Sequence, residues 1–178
     1  ARAAQGAPAR RTGTTVSAAR GHAAERMGTS GGLAGRETTL LVLGASGDRS
    51  KRRLLRGLAT LREVKEDWDV QVVGAGVEDI SDADWKAQVR ESFENAQASK
   101  NEEDEGAADG GERLSKRLLG VIDASIYRKA DVTDADDLRT LLGDCRYDPA
   151  IYLALPPAAT EKSCEVLKDL DLSSGTRL

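Results

Sequence analysis

The chain has 178 residues, a length typical of one domain or of one domain with a tail. Its net charge of −4 excludes a chain-wide basic field for nucleic acid, and no run of about 18 apolar residues is present to cross a membrane. Hydrophobic residues make up 39% and aromatic residues only 3%, so the core must consist of Leu, Val, Ile and Ala. We expect a cytoplasmic protein with neither nucleic-acid nor membrane partners.

The first part of the chain differs in composition from the rest. Residues 1–26 hold five arginines and one acid, without apolar periodicity. An Arg-rich, acid-poor segment resembles an organelle transit peptide, and the same composition is typical of a disordered tail. We expect residues 1–36 to be a disordered or non-native tail and residues 37–178 to form the folded domain.

From Thr38 onward, four apolar runs alternate with helical patterns. The runs are residues 39–43, 70–73, 126–127 and 151–155. Continuous apolarity is typical of strands that are buried on both faces of a parallel sheet. Between and after the runs, apolar residues repeat at helical spacing: Leu54, Leu55, Leu58 and Leu61; Trp85, Val89 and Phe93; Leu138, Leu141 and Leu142; Val166, Leu167 and Leu170.

Two helix starts carry capping signals, because Ser81 and Thr133 are each followed three residues later by an acid. Residues 101–111, with five acids and no large apolar side chain, predict a solvated loop between two helices. The order β-α-β-α-β-α-β-α predicts an α/β fold, a Rossmann-type doubly wound parallel sheet with helices on both faces.

The two cysteines, Cys145 and Cys164, fall in predicted helices without the spacing of metal ligands. We expect buried or half-buried free thiols, which fit a reducing compartment, and we expect no metal site.

A glycine-rich turn follows the first strand directly and precedes a Leu-rich helix. Gly44 lets the chain turn off the strand, Gly47 lets the backbone approach a pyrophosphate, and Ser46 adds a hydroxyl donor. The spacing is G-x-x-G rather than G-x-G-x-x-G, with Ser50 where a third glycine often stands. A tight structural turn without a nucleotide is the alternative.

Three cations, residues 51–53, stand in the first turn of the following helix. Cations are unfavourable near the positive end of a helix dipole unless they face an anion, so they favour a phosphate site. A solvated basic face is the alternative.

The second strand ends at Val77 and Glu78 without a nearby cation in the sequence, which favours the ribose hydroxyl of NAD over the 2′-phosphate of NADP. Glu78 is equally compatible with a surface acid.

Three segments of the chain match motifs of one enzyme family. GASGDRSKRRLL is similar to a GASGDL-x-K-R-K-L nucleotide motif, VVGAGVEDIS to a VVG-x-A-R-x-x-L-S segment, and IYLALPP to a Y-L-A-L-P-P segment. In these motifs the chain resembles the glucose-6-phosphate dehydrogenase family. The closing SGTRL resembles the stretch before the family's E-K-P-F-G. Order and spacing agree from about residue 38 to the end.

The resemblance implies functions for particular positions. It places the substrate-proximal lysine of the family on Arg53, which keeps the charge but not the compact ammonium. It places the loop beside the nicotinamide ribose on Leu155, Pro156 and Pro157, where a proline pair fixes the backbone and can hold a cis bond. The implied nucleotide-binding stretch consists of Gly44, Ala45, Ser46, Gly47, Asp48, Arg49, Ser50 and Lys51.

Three departures from the family pattern limit what the resemblance implies. Val77 replaces the arginine that takes the 2′-phosphate, so NAD and NADP both remain candidate cofactors. Arg49 replaces a leucine. The sequence stops before the lysine of E-K-P-F-G and before the second domain, which in the family supplies a histidine base and through which a homo-oligomer would form. The only histidine, His22, falls in the expected tail and is not expected to be catalytic.

The resemblance implies the coenzyme-binding domain of an oxidoreductase of the pentose phosphate pathway. The resemblance implies hydride transfer from C1 of glucose 6-phosphate to NAD(P)+, giving 6-phosphogluconolactone. We expect the chain by itself to bind the dinucleotide without turning over sugar phosphate, so a catalytically incomplete dinucleotide-binding protein is the first alternative. A short-chain dehydrogenase-like enzyme is the second, although no tyrosine is followed four residues later by lysine.

Overall fold

The computed structural model describes residues 36–48, 50–65, 67–103 and 114–178. Its strands are β1 (Arg36–Leu43), β2 (Trp68–Gly76), β3 (Ile126–Lys129) and β4 (Pro149–Leu153). All pairings are parallel, in the order β3-β2-β1-β4. Near the end of the chain, Arg177 adds one parallel bridge on β4.

A π-helical segment, Ser50–Leu55, runs directly into the first α-helix. The helices are α1 (Arg56–Val64), α2 (Asp82–Glu103), α3 (Lys116–Ala124), α4 (Ala135–Gly143) and α5 (Pro157–Asp169). Buried residues of α1, α2 and α3 pack on one face of the sheet, and those of α4 and α5 pack on the other. The predicted doubly wound α/β class is therefore confirmed.

Neighbouring residues of the central strands serve two separate cores. In β1, Val42 packs with α1, α2 and α3, whereas Leu41 and Leu43 pack with α4 and α5. In β2, Val72 and Val73 divide in the same way. Successive side chains of a strand point to opposite faces, so a strand covered on both faces needs an uninterrupted apolar run.

The structure confirms one predicted cap and corrects the other. Ser81 Oγ accepts a hydrogen bond from Asp84 N at 3.1 Å, as its spacing predicts. At α4 the cap is Asp134, not Thr133, because the Asp134 side chain accepts from the N–H groups of Asp136 and Asp137. The Thr133 hydroxyl and N–H instead donate to Asp131, whose pKa they lower.

Three further expectations need correction or fall outside the described residues. The acid-rich stretch of residues 101–111 does not begin as a loop, because α2 continues through Glu103; residues 104–111 lie outside the described part of the chain. Leu61 of the predicted apolar face is exposed. The expected tail lies outside the description except for Arg36, where β1 already begins.

The cysteines differ from each other. Cys145 is buried as expected, but it lies just after α4 rather than in a helix. Cys164 lies in α5 and is exposed, so the expectation of a buried or half-buried thiol is wrong there.

Candidate functional site

The strand order creates a crevice at one edge of the sheet. β1 lies between β2 and β4, and the connections from β1 through β3 use one face whereas the β3-to-β4 connection uses the other. The winding therefore reverses between β1 and β4. In open α/β sheets, ligands bind outside the carboxyl ends of the strands at such a switch point. The predicted glycine turn follows β1 at this edge, and the Leu-Pro-Pro segment follows β4.

Gly44 joins these two segments. Its φ is +83°, in the left-handed region that favours glycine. An added Cβ would lie 2.7 Å from the carbonyl oxygen of Ala154 and 2.9 Å from Cδ2 of Leu155. Both the conformation and the close approach therefore require glycine at this position.

Hydrogen bonds anchor the turn to the sheet. The N–H groups of Gly44 and Ala45 both donate to the carbonyl oxygen of Ala75, at 2.8 and 2.9 Å. The Ser50 hydroxyl, which is fully buried, donates to the carbonyl oxygen of Gly44 at 3.3 Å. Ser50 thus ties the helix start to the turn at the position where a third glycine often stands.

Gly47 and Ser46 form the open part of the turn. Gly47 N donates to the carbonyl oxygen of Gly44 at 3.2 Å, and the missing Gly47 side chain leaves the backbone accessible. The Ser46 N–H makes no hydrogen bond to another residue in the described part of the chain. An uncommitted N–H beside a helix start is the kind of donor that binds a phosphate oxygen.

The basic helix start is only partly free to face an anion. Arg52 Nε lies 2.6 Å from Asp48 Oδ1, and both side chains are largely exposed, so the pair stabilises the fold little. Arg53 is also exposed. Arg49 and the side chain of Lys51 lie outside the described residues.

The Leu-Pro-Pro segment begins α5. Pro156 immediately precedes the helix and Pro157 is its first residue, where a missing N–H costs nothing. Both prolines are exposed, both of their peptide bonds are trans, and Leu155 is half-buried against the core of α4 and α5.

The structure brings together two residues for which the sequence predicts separate ligands. Ser46 is predicted to donate a hydrogen bond to a phosphate, and Glu78 to accept one from the ribose. In the structure, Ser46 Oγ donates to Oε2 of Glu78 at 2.7 Å. Val77, which precedes Glu78 in the sequence, is 66% exposed. The phosphate turn and the end of β2 are therefore adjacent parts of one polar surface.

Two residues of β3 join this surface, and sequence reasoning missed both. Lys129 Nζ lies 3.5 Å from Asp79 Oδ2, so a cation does reach the end of β2. Tyr127 is 3% exposed, and its hydroxyl has no hydrogen-bond partner among the described residues. Burial, followed by the charges of Glu78 and Asp79, raises the pKa of Tyr127 to about 12. The sequence predicts only a strand at residues 126–127, and its pairing with β2 is known from the structure.

Comparison with known proteins identifies the family. The family model described as glucose-6-phosphate dehydrogenase, NAD binding domain, matches residues 41–178. The chain belongs to this family. It is accordingly a nicotinamide-dinucleotide-binding domain of an oxidoreductase family. No curated protein matches the chain.

Two solved structures share the fold. The chain is similar to glucose-6-phosphate 1-dehydrogenase from Mycobacterium avium, with 21% identity, a TM-score of 0.60, and coverage of 79% of this chain and 28% of that one. It is also similar to a glucose-6-phosphate dehydrogenase in complex with its substrate glucose-6-phosphate, with 19% identity, a TM-score of 0.53, and coverage of 82% and 30%. The chain spans less than a third of either protein's length.

The described residues form neither a membrane-spanning helix nor a cluster of metal ligands. No helix within residues 36–48, 50–65, 67–103 and 114–178 is long and apolar enough to cross a membrane. The same residues contain no group of three His, Cys, Asp or Glu side chains that could hold a metal ion.

Proposed function

We propose that residues 37–178 are the coenzyme-binding domain of an oxidoreductase that transfers a hydride from C1 of glucose 6-phosphate to a nicotinamide dinucleotide, giving 6-phosphogluconolactone. The observation that supports this most strongly is the contact of Gly44 with Ala154 and Leu155 at the switch point. It joins a phosphate-binding turn to the Leu-Pro-Pro segment in the crevice where such folds bind dinucleotides.

The turn would hold the pyrophosphate. Gly47 exposes the backbone, and the uncommitted N–H and the hydroxyl of Ser46 are donors on the same turn. These neutral donors can bind a phosphate without a formal positive charge, because the start of the following helix carries a partial positive charge. Lys51 would add a cation to the same phosphates.

The Leu-Pro-Pro segment would shape the nicotinamide side of the crevice. The bound nicotinamide ring supplies the hydride acceptor. Leu155, Pro156 and Pro157 would limit the positions open to the ribose, since proline fixes the backbone there. Arg53, exposed one turn into the helix start, would face the sugar phosphate.

The proton of the C1 hydroxyl would be removed by a base from another part of the parent protein. The described residues contain no histidine, since His22 lies outside them, and no side chain in the described site is placed as a general base. The domain described here would bind and orient the coenzyme.

The end of β2 favours NAD over NADP. Glu78 and Asp79 are exposed carboxylates that would repel a 2′-phosphate, and Lys129 offsets one of the two charges through its contact with Asp79. Val77 offers no charge. A carboxylate at this position accepts hydrogen bonds from ribose hydroxyls.

A binding and turnover experiment tests this function. Isothermal titration should give saturable binding of NAD at one site per chain, tighter than binding of NADP. Glucose 6-phosphate added to the NAD-loaded chain should give no reduced coenzyme at 340 nm, because the described residues place no general base at the site. Absence of NAD and NADP binding would overturn the proposal. Binding by a full-length parent that never reduces NAD(P)+ with glucose 6-phosphate would favour the catalytically incomplete alternative.

A further inference from the structure

Three polar side chains converge on the space above Gly76. A Cβ placed on Gly76 would lie 2.8 Å from Tyr127 Oη, 2.9 Å from Glu78 Oε2 and 3.6 Å from Ser46 Oγ. We call this space, with Gly76, Ser46, Glu78 and Tyr127 around it, the Gly76 recess. It lies at the carboxyl end of β2, between the phosphate turn and β3.

The Tyr127 hydroxyl is the unexplained member of the recess. The ring packs in the core, with its centroid 5.7 Å from that of Trp85, and phenylalanine would fill the same volume. The hydroxyl itself is buried and has no partner in the described part of the chain. A buried hydroxyl without a partner lowers stability, so the fold alone gives no reason for tyrosine at this position.

Coenzyme binding, as proposed above, would remove the present hydrogen-bond donor to Glu78. In the present arrangement its Oε2 accepts from Ser46 Oγ at 2.7 Å. A pyrophosphate seated on the turn would draw the Ser46 hydroxyl toward a phosphate oxygen. Glu78 would then need another donor to keep its carboxylate oriented. The unpaired Tyr127 hydroxyl and Glu78 Oε2 both lie within 2.9 Å of one point, the position that a Gly76 Cβ would take.

We propose that Tyr127 is a positioning residue for the adenosine ribose: its hydroxyl replaces that of Ser46 as the donor to Glu78 and holds the carboxylate toward the ribose 2′-hydroxyl. This inference rests on the proposed function, because the exchange starts when a phosphate engages Ser46. Tyrosine suits the task because its hydroxyl is a protonated donor at physiological pH even at the ordinary pKa of 10.0, and burial and the nearby carboxylates raise that pKa further, to about 12.

A double-mutant cycle tests the inference. NAD affinity is measured by titration calorimetry for the unmodified chain, Tyr127→Phe, Glu78→Ala and the double variant. We expect Tyr127→Phe to weaken NAD binding about tenfold, the effect of losing one hydrogen bond to a charged group. In the Glu78→Ala background it should change NAD affinity less than about twofold, since its acceptor is gone.

Two controls separate this role from a structural one. Tyr147→Phe removes a tyrosine hydroxyl that donates to Asp69 at the opposite edge of the sheet, and should leave NAD affinity unchanged. The unliganded Tyr127→Phe chain should resist urea at least as well as the unmodified chain, since an unpartnered hydroxyl is removed.

The remaining outcomes would overturn either the role of Tyr127 or the proposed function. Equal weakening by Tyr127→Phe with and without Glu78 overturns action through Glu78, and so does unchanged NAD affinity in the single variant. Loss of stability in Tyr127→Phe without loss of affinity assigns the hydroxyl to the fold and also overturns the inference. No NAD binding by the unmodified chain overturns the proposed function itself.

Discussion

Replacing Gly44 with alanine should damage both folding and coenzyme binding. At φ +83° an alanine pays about 1–2 kcal/mol for the left-handed conformation. Its Cβ would also lie 2.7 Å from the Ala154 carbonyl oxygen, a backbone atom that moves only with the end of β4, which adds about 1–3 kcal/mol. The loss of unfolded-state entropy returns about 0.5–1 kcal/mol. We expect a net loss of about 1–4.5 kcal/mol in the free energy of unfolding.

Two other glycines supply matched controls. Gly57→Ala in α1 places its Cβ where nothing lies within 4 Å, and should raise stability by about 0.5–1 kcal/mol through helix propensity. Gly47→Ala brings its Cβ to 3.2 Å from the carbonyl oxygen of Gly44, so it should cost less than about 1 kcal/mol in folding. Its methyl group would nevertheless face the pyrophosphate and weaken NAD binding at least tenfold.

Urea unfolding followed by circular dichroism gives the stabilities, and calorimetric titration gives the NAD affinities. The expected pattern is loss of both for Gly44→Ala, loss of affinity alone for Gly47→Ala, and loss of neither for Gly57→Ala. A Gly44→Ala chain as stable as the unmodified one would refute the strained contact between the turn and the end of β4.

Three further predictions concern cofactor choice, pH and capping. Val77→Arg should raise NADP affinity relative to NAD about tenfold, because it adds a cation for the 2′-phosphate; an unchanged ratio from paired titrations would mean that the adenosine ribose lies elsewhere. Between pH 10 and about 12 the folded chain keeps the Tyr127 proton that the unfolded chain has lost, so the free energy of unfolding should fall as pH rises through this range, by up to about 3 kcal/mol. Urea titrations across that range should show the loss reduced in Tyr127→Phe, and an identical pH dependence would contradict the shift. Asp134→Ala should cost about 1 kcal/mol in urea unfolding and Thr133→Ala less than about 0.5 kcal/mol, and the reverse order would contradict the cap assignment.

The sequence could predict those parts of the structure that depend on neighbouring residues. Unbroken apolar runs predict strands buried on both faces, and two cores with Val42 on one side and Leu41 on the other account for them. The glycine of the turn is predicted for a similar reason, since a sharp exit from β1 requires the backbone freedom of Gly44. Such reasoning does not choose between adjacent candidates for the same role. Thr133 and Asp134 could each cap α4, and only the three-dimensional structure decides between them.

The rest of the candidate site depends on contacts between distant segments. Tyr127 and Lys129 lie near the end of β2 because β3 pairs with β2. The spacing of residues in the sequence does not predict that pairing. The hydrogen bond between Ser46 and Glu78 joins residues 32 positions apart. Conversely, the π-helical segment from Ser50 to Leu55 has no distinct apolar period, so its sequence predicts only a helix.

Titration of the chain with NAD tests the central claim most directly when the unmodified chain and Gly47→Ala are measured side by side. We predict saturable binding at one site per chain that weakens at least tenfold in Gly47→Ala, while the two unliganded chains unfold at similar urea concentrations. Absence of saturable binding by the unmodified chain, or equal affinity in the two, would contradict a dinucleotide site at residues 44–51.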